Sequence, residues 1–345
     1  MKETLAQFES RKKDHIRIAL DQKSQAVGLS GLERVHLTPD SLPEINFKDV
    51  EISTSFFLHK MESPFFISSM TAGHQDSLQI NIRLAKMAQE KKWAMGVGSQ
   101  RKELDCAEAS SEWRKVRKEA PNAALIGNLG LAQVIQTKTE DIRRLIDNLE
   151  AIALFIHLNP LQECIQKEGT PEFKGGLAAI QRLVKELQVP ILIKEVGSGL
   201  STRTLEKLKD SGIFAADVAG LGGTHWGRVE GYRAQPGEMV YEASQTFSDW
   251  GISTAEALIL GKKLNPPFEL WASGGVRSGL DGAKLLAIGA QKVGIAQPLM
   301  RAAVDGEEQL KAVMDRFDFE LKTALFCCGC RNINELQTQE VWTWK

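Results

Sequence analysis

The sequence predicts an α/β fold, a (β/α)8 TIM barrel with an N-terminal helical extension, and three observations support this. Eight short apolar runs recur along the chain. Amphipathic stretches with helical periodicity lie between most of them. The runs are apolar at consecutive positions, as expected for strands buried on both faces of a parallel sheet. Eight such units that close on themselves form a barrel, and an open doubly wound sheet is the structural alternative.

The predicted strands end in Gly-, Ser- or Asn-rich turns and begin at similar intervals, apart from one wider gap after the sixth. They cover residues 64–70, 93–99, 123–130, 153–159, 189–196, 213–220, 268–275 and 291–297.

The predicted helices alternate with these strands. Thr139 and Ser201 are predicted to be helix N-caps, and Gly212 is predicted to follow a helix at the C′ position. The helices cover residues 1–22, 81–92, 139–152, 175–188, 201–212, 253–264, 279–290 and 305–326. No linker, low-complexity segment or second domain interrupts the series. Residues 1–60 precede the first barrel strand, so we expect two regions: an extension (1–60) and a barrel with a C-terminal helix (61–345).

Composition excludes several classes of protein. The chain has 345 residues and a formal net charge of −1, so no basic field attracts nucleic acid or an anionic membrane. No apolar run approaches the roughly 18 residues that would span a bilayer. The N-terminus lacks the apolar core of a signal peptide. The five cysteines, an odd number without framework spacing, favour free thiols and a cytoplasmic location.

Polar or small residues follow nearly every predicted strand, at the end where barrels of this type build their active sites. Taken singly, Ser99 or Thr224 could equally well cap a helix, but the whole set indicates a functional site. In chain order the set is Ser69, Met70, Thr71, Ser99, Gln100, Arg101, Asn128, His157, Asn159, Gln162, Glu163, Lys194, Gly222, Gly223, Thr224, Gly274, Gly275, Val276, Arg277, Ala296 and Gln297.

Two of these strand ends indicate an anionic ligand. The stretch SGGVRSGLDGAK (273–284) places two glycines between a strand and a helix, where backbone N–H groups and the helix N-terminus favour a phosphate. Lys194 ends an otherwise apolar strand, and a buried ammonium needs an anionic partner. A reduced flavin is such a partner, and a Schiff-base lysine is the alternative interpretation.

Two further motifs remain open. The RKKDH cluster (11–15) is either a solvated helix face or a cationic segment that folds over a barrel mouth, its own or a neighbour's. The CCGC stretch (327–330) contains C-x-x-C, but zinc would need two more ligands and none lies near in sequence, which favours plain thiols.

Several motifs together resemble the type 2, FMN-dependent isopentenyl-diphosphate isomerases, in order from about residue 8 to residue 336. They are RKKDHI, SSMTAGH, GVGSQR, GNLG, HLNPLQE, KEVGSG, AGLGGTHW and ASGGVRSGLDGAK. The pair of RKKDHI and HLNPLQE carries most of the specificity, since the Gly-rich segments are shared by many FMN barrels. Three positions depart from the family pattern: Ala72 replaces a glycine, His225 replaces a common serine, and CCGC replaces a Thr-Gly-Cys pattern.

The resemblance implies a role for each matching residue. FMN would be held by the barrel (61–345), through Ser69, Met70, Thr71, Ala72, Ser99, Asn128, Lys194, Thr224, Gly274, Gly275, Val276, Arg277, Ala296 and Gln297. Substrate would be held by Arg11, Lys12, Ser99, Gln100, Arg101, His157, Asn159 and Gln162. Gln162 would also be the catalytic residue, and Glu163 would bind Mg²⁺.

The resemblance also implies the chemistry and the partners. The enzyme would interconvert isopentenyl and dimethylallyl diphosphate, with proton transfer at a reduced flavin and NADPH as its reductant. It would be a homo-oligomer, a tetramer or larger. One alternative is an FMN-dependent 2-hydroxy-acid oxidase, which needs an active-site Tyr, whereas this chain has only Tyr232 and Tyr241. An inosinate-dehydrogenase-like barrel would need a cysteine in GLGGTHW, and a regulatory barrel would leave Gln162 and Glu163 without a role.

Overall fold

The predicted barrel is confirmed. The computed structural model describes residues 14–70, 75–106 and 109–345. Within them, strands β4 to β11 form one closed barrel of parallel strands. The strands are β1 (Val35–Leu37), β2 (Thr54–Phe56), β3 (His59–Met61), β4 (Phe65–Ile67), β5 (Ala94–Gly96), β6 (Ala124–Gly130), β7 (Ala153–His157), β8 (Ile191–Lys194), β9 (Ala215–Asp217), β10 (Glu269–Ser273), β11 (Lys292–Ile295) and β12 (Trp342–Trp344).

Helices surround the barrel, and the predicted ones are present within their described parts. They are α1 (14–20), α2 (Gln75–Lys91), α3 (Arg101–Asp105), α4 (Ser110–Glu119), α5 (Leu131–Gln136), α6 (Thr139–Leu149), α7 (Pro160–Ile165), α8 (Gly176–Glu186), α9 (Thr202–Leu208), α10 (Trp226–Gly231), α11 (Met239–Thr246), α12 (Thr254–Lys263), α13 (Gly279–Ile288), α14 (Gln297–Asp305), α15 (Glu307–Cys327) and α16 (Ile333–Thr338). None of these described helices is long and apolar enough to cross a membrane.

Two of the three predicted helix ends need correction. Ser201 does cap α9, because its side chain accepts a hydrogen bond from the backbone N–H of Thr204. Thr139 is not an N-cap: Lys138 precedes the helix, and the Thr139 hydroxyl donates to Glu186 of α8 instead. Gly212 does not directly follow α9, which already ends at Leu208, although its φ of 75° places it in a left-handed turn before β9.

The later part of the N-terminal extension contacts the lower, amino-terminal end of the barrel and the C-terminal strand. Strand β1 pairs with β12, and β2 pairs with β3 in a hairpin below the barrel. Phe56 of this hairpin packs against Trp271 inside the barrel, with ring centroids 5.2 Å apart. The expected boundary between residues 60 and 61 falls inside β3, and the division into two regions remains a prediction.

Strand register brings the polar strand ends to one level. His157 of β7 pairs with Lys194 of β8, and Lys194 pairs with Asp217 of β9. Since the strands are parallel, their carboxyl ends meet at the same end of the barrel. The fold therefore gathers the polar residues into one mouth.

Candidate active site

A deep cleft opens at the carboxyl end of the barrel and contains nearly all predicted site residues that the structure describes. Its volume is about 1190 Å³, including the open mouth. Its walls contain Ser69, Met70, Ser99, Arg101, Asn128, His157, Asn159, Gln162, Glu163, Lys194, Thr224, Gly274, Gly275, Val276, Arg277, Ala296 and Gln297. Gln100 does not line the cleft. Arg11, Lys12, Thr71 and Ala72 lie outside the described residues, so their predicted roles stay predictions.

Two buried groups of opposite charge lie side by side at the carboxyl end of the barrel, although the hydrogen bond of Lys194 Nζ is to the Glu195 carbonyl, at 2.5 Å. Lys194 and Asp217 are respectively 5% and 1% exposed, on adjacent strands. Ser273 Oγ, on the next strand, contacts both carboxylate oxygens of Asp217 at 3.0 and 2.8 Å. Burial lowers the pKa of Lys194 and raises that of Asp217, while the attraction between the two opposes both shifts. The sequence analysis missed Asp217, although an acid within the apolar run IFAADVAG was a visible signal.

A second missed carboxylate shapes the loop after β8. Glu195 is buried, and its Oε2 accepts hydrogen bonds from the backbone N–H groups of Val196, Gly197 and Ser198. Burial raises the pKa of Glu195 to about 7, although these three donors and Lys194 act in the opposite direction. This carboxylate fixes the loop that lines the cleft beside Lys194.

The expected phosphate loop has the required close-approach geometry. Gly274 and Gly275 have φ values of 104° and 76°. A Cβ on Gly274 would lie 2.2 Å from the Gly220 carbonyl oxygen, and one on Gly275 would lie 2.8 Å from that of Gly222. Both positions therefore need glycine, and their backbone lines the cleft.

The helix whose uncapped N-terminus faces the cleft is α14, whereas the sequence predicts α13. The first N–H groups of α13 already have acceptors: Asp281 accepts from Arg277 and Ser278, and Glu320 accepts from Gly279. By contrast, α14 begins after Ala296 without a side-chain cap, and both Ala296 and Gln297 line the cleft. The N-terminus of α14, with the Gly274–Gly275 turn, is the better phosphate cradle.

Buried polar atoms in the same walls fit a flavin. The hydroxyl oxygens of Ser68 and Ser69 and the amide nitrogen of Gln297 are buried without hydrogen-bond partners among the described residues. Unpartnered buried polar groups are costly in a folded protein. A ring with carbonyl and N–H groups along one edge would satisfy such atoms, and the buried ammonium of Lys194 suits its anionic reduced form.

The N-terminal segment braces this side of its own barrel mouth. Gln25 donates to Thr224 Oγ1 at 3.2 Å and accepts from Arg277 Nη2 at 2.7 Å. His15 of α1 also lines the cleft, and its ring meets Trp226 edge-on at 5.3 Å. The described end of the RKKDH cluster therefore lies over its own barrel.

The stretch HLNPLQE forms the opposite wall. His157 Nδ1 lies 2.9 Å from Asn128 Oδ1, and since an amide oxygen only accepts, Nδ1 carries the proton. Asn159 Nδ2 donates to Gln162 Oε1 at 3.1 Å and to Glu163 Oε1 at 3.0 Å. Glu163 Oε2 accepts from the backbone N–H of Thr170 at 2.6 Å. Pro160 at the first position of α7 projects Gln162 and Glu163 from one helical turn.

Glu230 holds Gln162 in place and was missed by the sequence analysis. Its Oε1 accepts from Gln162 Nε2 at 3.1 Å and pairs with His15 Nε2 at 2.9 Å, while its Oε2 pairs with Arg233 at 2.7 Å. Although burial alone would raise the pKa of Glu230, His15 and Arg233 hold it at about 2. Glu230 is thus buried and ionised and holds the Gln162 amide in place. The two residues are 68 positions apart in the chain, so the sequence alone does not indicate that they meet.

One positively charged side chain of the cleft has no anionic partner within the described part of the protein. Arg101, at the start of α3, lines the cleft without a hydrogen-bond or ion-pair partner among the described residues. A guanidinium with open donors is suited to a phosphate. The part of the chain that the structure describes contains no cluster of three or more His, Cys, Asp or Glu side chains that could hold a metal.

Two departures from the family pattern have structural explanations. His225 is 1% exposed, and its Nδ1 accepts from the Arg228 backbone N–H at 3.2 Å, which makes it the N-cap of α10. A serine commonly has this capping role. In CCGC, Cys328 and Cys330 are buried, and burial raises their pKa values to about 11 and 12, so both remain protonated thiols at neutral pH.

Solved structures share this fold at low sequence identity. A mutant flavocytochrome b2 with benzoylformate aligns with a TM-score of 0.70 and 18% identity, covering 99% of this chain and 86% of that one. Mandelate oxidase with benzoyl-formic acid aligns with a TM-score of 0.64 and 17% identity, covering 100% and 99%. These likenesses concern the barrel alone.

Sequence comparisons are more specific. The model of the FMN-dependent dehydrogenase family matches residues 158–343. Proteins named isopentenyl-diphosphate delta-isomerase are similar over nearly the whole chain. The one from Bdellovibrio bacteriovorus is 52% identical, covering 99% of both chains. That from Legionella pneumophila is 48% identical, covering 98% of both. That from Nostoc sp. is 44% identical, covering 96% of this chain and 95% of the other. The chain therefore belongs to the isopentenyl-diphosphate delta-isomerase family, on the barrel of the FMN-dependent dehydrogenases.

Proposed function

We propose that this protein is an FMN-dependent isomerase that interconverts isopentenyl and dimethylallyl diphosphate. The observation that carries the proposal is the composition of one cleft. Lys194 and the glycine turn face it from one side, and Gln162, Glu163 and the unpaired guanidinium of Arg101 face it from the other. A flavin and a diphosphate therefore have complementary walls within reach of each other.

FMN would occupy the wall built by Ser69, Asn128, Lys194, Thr224 and Gln297, with its phosphate at the Gly274–Gly275 turn and the α14 N-terminus. When bound and reduced, it supplies a ring that can donate and accept the protons that move the double bond. Lys194 stabilises negative charge on this ring; the nearby Asp217 favours the charged ammonium, and the Glu195 carbonyl accepts its hydrogen bond at 2.5 Å. Thr71 and Ala72 are proposed to complete this wall.

The diphosphate would bind opposite. Arg101 is placed to donate to its oxygens, and His157 would donate through Nε2 as an imidazolium. Asn159 is proposed to contact the substrate while its amide nitrogen holds Gln162 and Glu163. Arg11 and Lys12 are proposed to add charge from the N-terminal segment. A Mg²⁺ ion would take Glu163 as its protein carboxylate and substrate oxygens and water as its other ligands. Binding the charged end at this wall leaves the apolar end of the substrate to extend toward the flavin.

Gln162 is proposed to orient the alkene or to hold a proton between substrate and flavin. Its side chain cannot ionise near neutral pH, so it acts through hydrogen bonds. Because Glu230 accepts from Nε2 and Asn159 donates to Oε1, the amide orientation is fixed. A fixed amide costs no reorganisation when the proton moves.

The competing 2-hydroxy-acid oxidation lacks its tyrosine. Tyr232 and Tyr241 pack against each other, with ring centroids 6.1 Å apart, and neither lines the cleft. We further propose NADPH as the reductant of the flavin, a homo-oligomer of four or more subunits, and a cytoplasmic location.

A direct assay tests the proposal. The purified protein, with FMN, Mg²⁺ and NADPH under anaerobic conditions, should convert isopentenyl diphosphate to dimethylallyl diphosphate, followed by product separation. The same preparation should not reduce its flavin with lactate or mandelate. Flavin reduction by these acids without isomerisation would overturn the assignment.

A further inference from the structure

A buried glutamate with no role in the proposed chemistry lies directly behind the substrate wall. Glu103, on α3, is 5% exposed, and its Oε1 accepts from Gln100 Nε2 at 3.0 Å. Its Oε2 is buried without a hydrogen-bond partner among the described residues. Glu103 does not line the cleft, so it lies behind the wall and not in it.

Gln100 links this carboxylate to the site. It is 1% exposed, and its Nε2 also donates to the Leu145 carbonyl at 3.3 Å. Its Oε1 accepts from the Asn128 backbone N–H at 3.1 Å, and its own backbone N–H donates to the Asn128 carbonyl at 2.9 Å. Two hydrogen bonds therefore join Gln100 to the backbone of Asn128.

Asn128 completes the connection. Its side-chain oxygen accepts from Nδ1 of His157 at 2.9 Å, a contact that favours the tautomer with the proton on Nδ1. The chain of contacts runs from Glu103 through Gln100 and Asn128 to His157, and only its last two members face the cleft.

We propose that Glu103 is a positioning residue of the substrate site, which fixes the amide of Gln100 and thereby holds Asn128 and His157 for diphosphate binding. The expected change in KM rests on the proposed function, whereas the expected change in the His157 tautomer does not. Both oxygens of a carboxylate accept, so Glu103 selects the orientation in which the Gln100 nitrogen faces it and the Gln100 oxygen faces Asn128. Gln100 then acts behind the site instead of in it, which explains why this predicted substrate ligand does not line the cleft.

The electrostatic setting is consistent with this role. Burial raises the pKa of Glu103 to about 7, the hydrogen bond from Gln100 lowers it, and from α4 Glu112 raises it and Arg114 lowers it. Ionised or neutral, Glu103 still accepts from Gln100, so the link persists across neutral pH and is stronger when the group is charged.

Two variants of full-length protein loaded with FMN separate positioning from stability. Glu103→Met keeps the shape but removes the acceptor, and Glu103→Gln can restore it through its amide oxygen. The matched control is Asp318→Asn, a half-buried acid, which accepts from Ser63 at 2.7 Å at the other end of the barrel and whose pKa burial raises to about 6. Readouts are the melting temperature, the KM for isopentenyl diphosphate, and the ¹⁵N chemical shifts of His157, assigned with His157→Gln.

Glu103→Met should raise KM about tenfold, the order expected for loss of one hydrogen bond to a charged group, and should mix the two His157 tautomers. Glu103→Gln should restore both, whereas Asp318→Asn should change only the melting temperature. Should Glu103→Met fail to fold, Gln100→Met breaks the same chain one link later and should give the same two changes. A destabilised variant with normal KM and an unmixed His157 tautomer would overturn the proposal. The tautomer readout needs no turnover, so an inactive wild type would refute the function without deciding this inference.

Discussion

The upper and lower halves of the barrel interior are built by the same strands and differ in character. At the lower level, inward side chains are apolar: Phe155 on β7, Leu192 on β8 and Trp271 on β10 are all buried in one cluster. Two residues later the same strands present His157, Lys194 and Ser273 to the cleft. Residues two apart on a strand face the same way and lie about 6.6 Å apart. The side chains that form the site and those that form the core are therefore only two residues apart on each of these strands.

This difference also divides the energetics. The lower level buries aromatic surface, which contributes to stability. The upper level buries Lys194 and Asp217, whose desolvation is unfavourable and is partly offset by the attraction between their charges. The stability of the lower layer thus compensates for the unfavourable burial of charge at the mouth. Substitutions at the two levels should therefore have separable effects.

The largest effect is expected from removing one of the two buried opposite charges, Lys194 and Asp217. Lys194→Met leaves Asp217 buried without its counter-ion, which should destabilise the protein by about 3–5 kcal/mol and abolish FMN binding. The double variant Lys194→Met/Asp217→Asn removes both charges and should regain much of the stability without regaining flavin. Chemical denaturation and flavin fluorescence titration measure the two quantities. Normal flavin affinity in either variant would contradict the role assigned to Lys194.

A substitution in the lower layer should affect stability alone. Trp271 contacts Phe56, Phe66 and Phe155 at centroid distances of 5.2, 5.1 and 6.0 Å. Trp271→Ala should cost about 3–5 kcal/mol through the cavity it creates. The folded fraction should keep its KM and flavin affinity below the new melting temperature. A large change in KM at full folding would show that the two layers are not independent.

Neighbouring residues on α7 should separate metal binding from chemistry. Gln162→Ala removes the amide proposed to orient the alkene or hold a proton, and kcat at saturating Mg²⁺ should fall by a factor that corresponds to about 1.5–3 kcal/mol, the value of one hydrogen bond to a charged group. Flavin content should stay normal. Glu163→Gln should instead raise the Mg²⁺ concentration needed for activity, and excess metal should recover part of the rate. If Gln162→Ala has a normal kcat and melting temperature, flavin alone handles the protons.

The sequence predicts the barrel well because its signals are local. Apolar runs such as that around Ile193 and caps such as Ser201 depend on neighbours in the chain. The contacts that hold the site depend on distant ones: Gln162 with Glu230, Lys194 with Asp217, and Gln100 with Asn128. Only the fold brings these together, and a polar residue at a strand end looks the same whether it faces the cleft or supports another residue. Gln100, at a strand end, is an example: the sequence predicts that it binds substrate, whereas in the structure it lies behind the cleft wall and contacts Asn128.

The smallest expected effect concerns His225, which caps α10 and so supports the side of the mouth that carries Trp226 and Glu230. Its Nδ1 accepts from Arg228, which requires a neutral imidazole. Burial lowers its pKa below the ordinary value of 6.5. The unfolded chain therefore binds the proton more readily than the folded one, and the stability contributed by the cap is present above pH 6.5 and lost as the pH falls below it.

The comparison with serine tests this point. His225→Ser keeps a capping oxygen that does not titrate, and His225→Ala removes the cap at a cost of about 1 kcal/mol. At pH 7.5, His225→Ser should match the wild type in free energy of unfolding, and His225→Ala should be less stable than both. At pH 5 the wild type should lose stability relative to His225→Ser. Glu195, whose pKa burial raises to about 7, contributes the opposite pH dependence in all three proteins, so the differences between them isolate His225. If the difference in free energy of unfolding between wild type and His225→Ser is the same at pH 7.5 and pH 5, protonation of His225 does not affect stability. Serine and histidine would then be equivalent caps across this pH range.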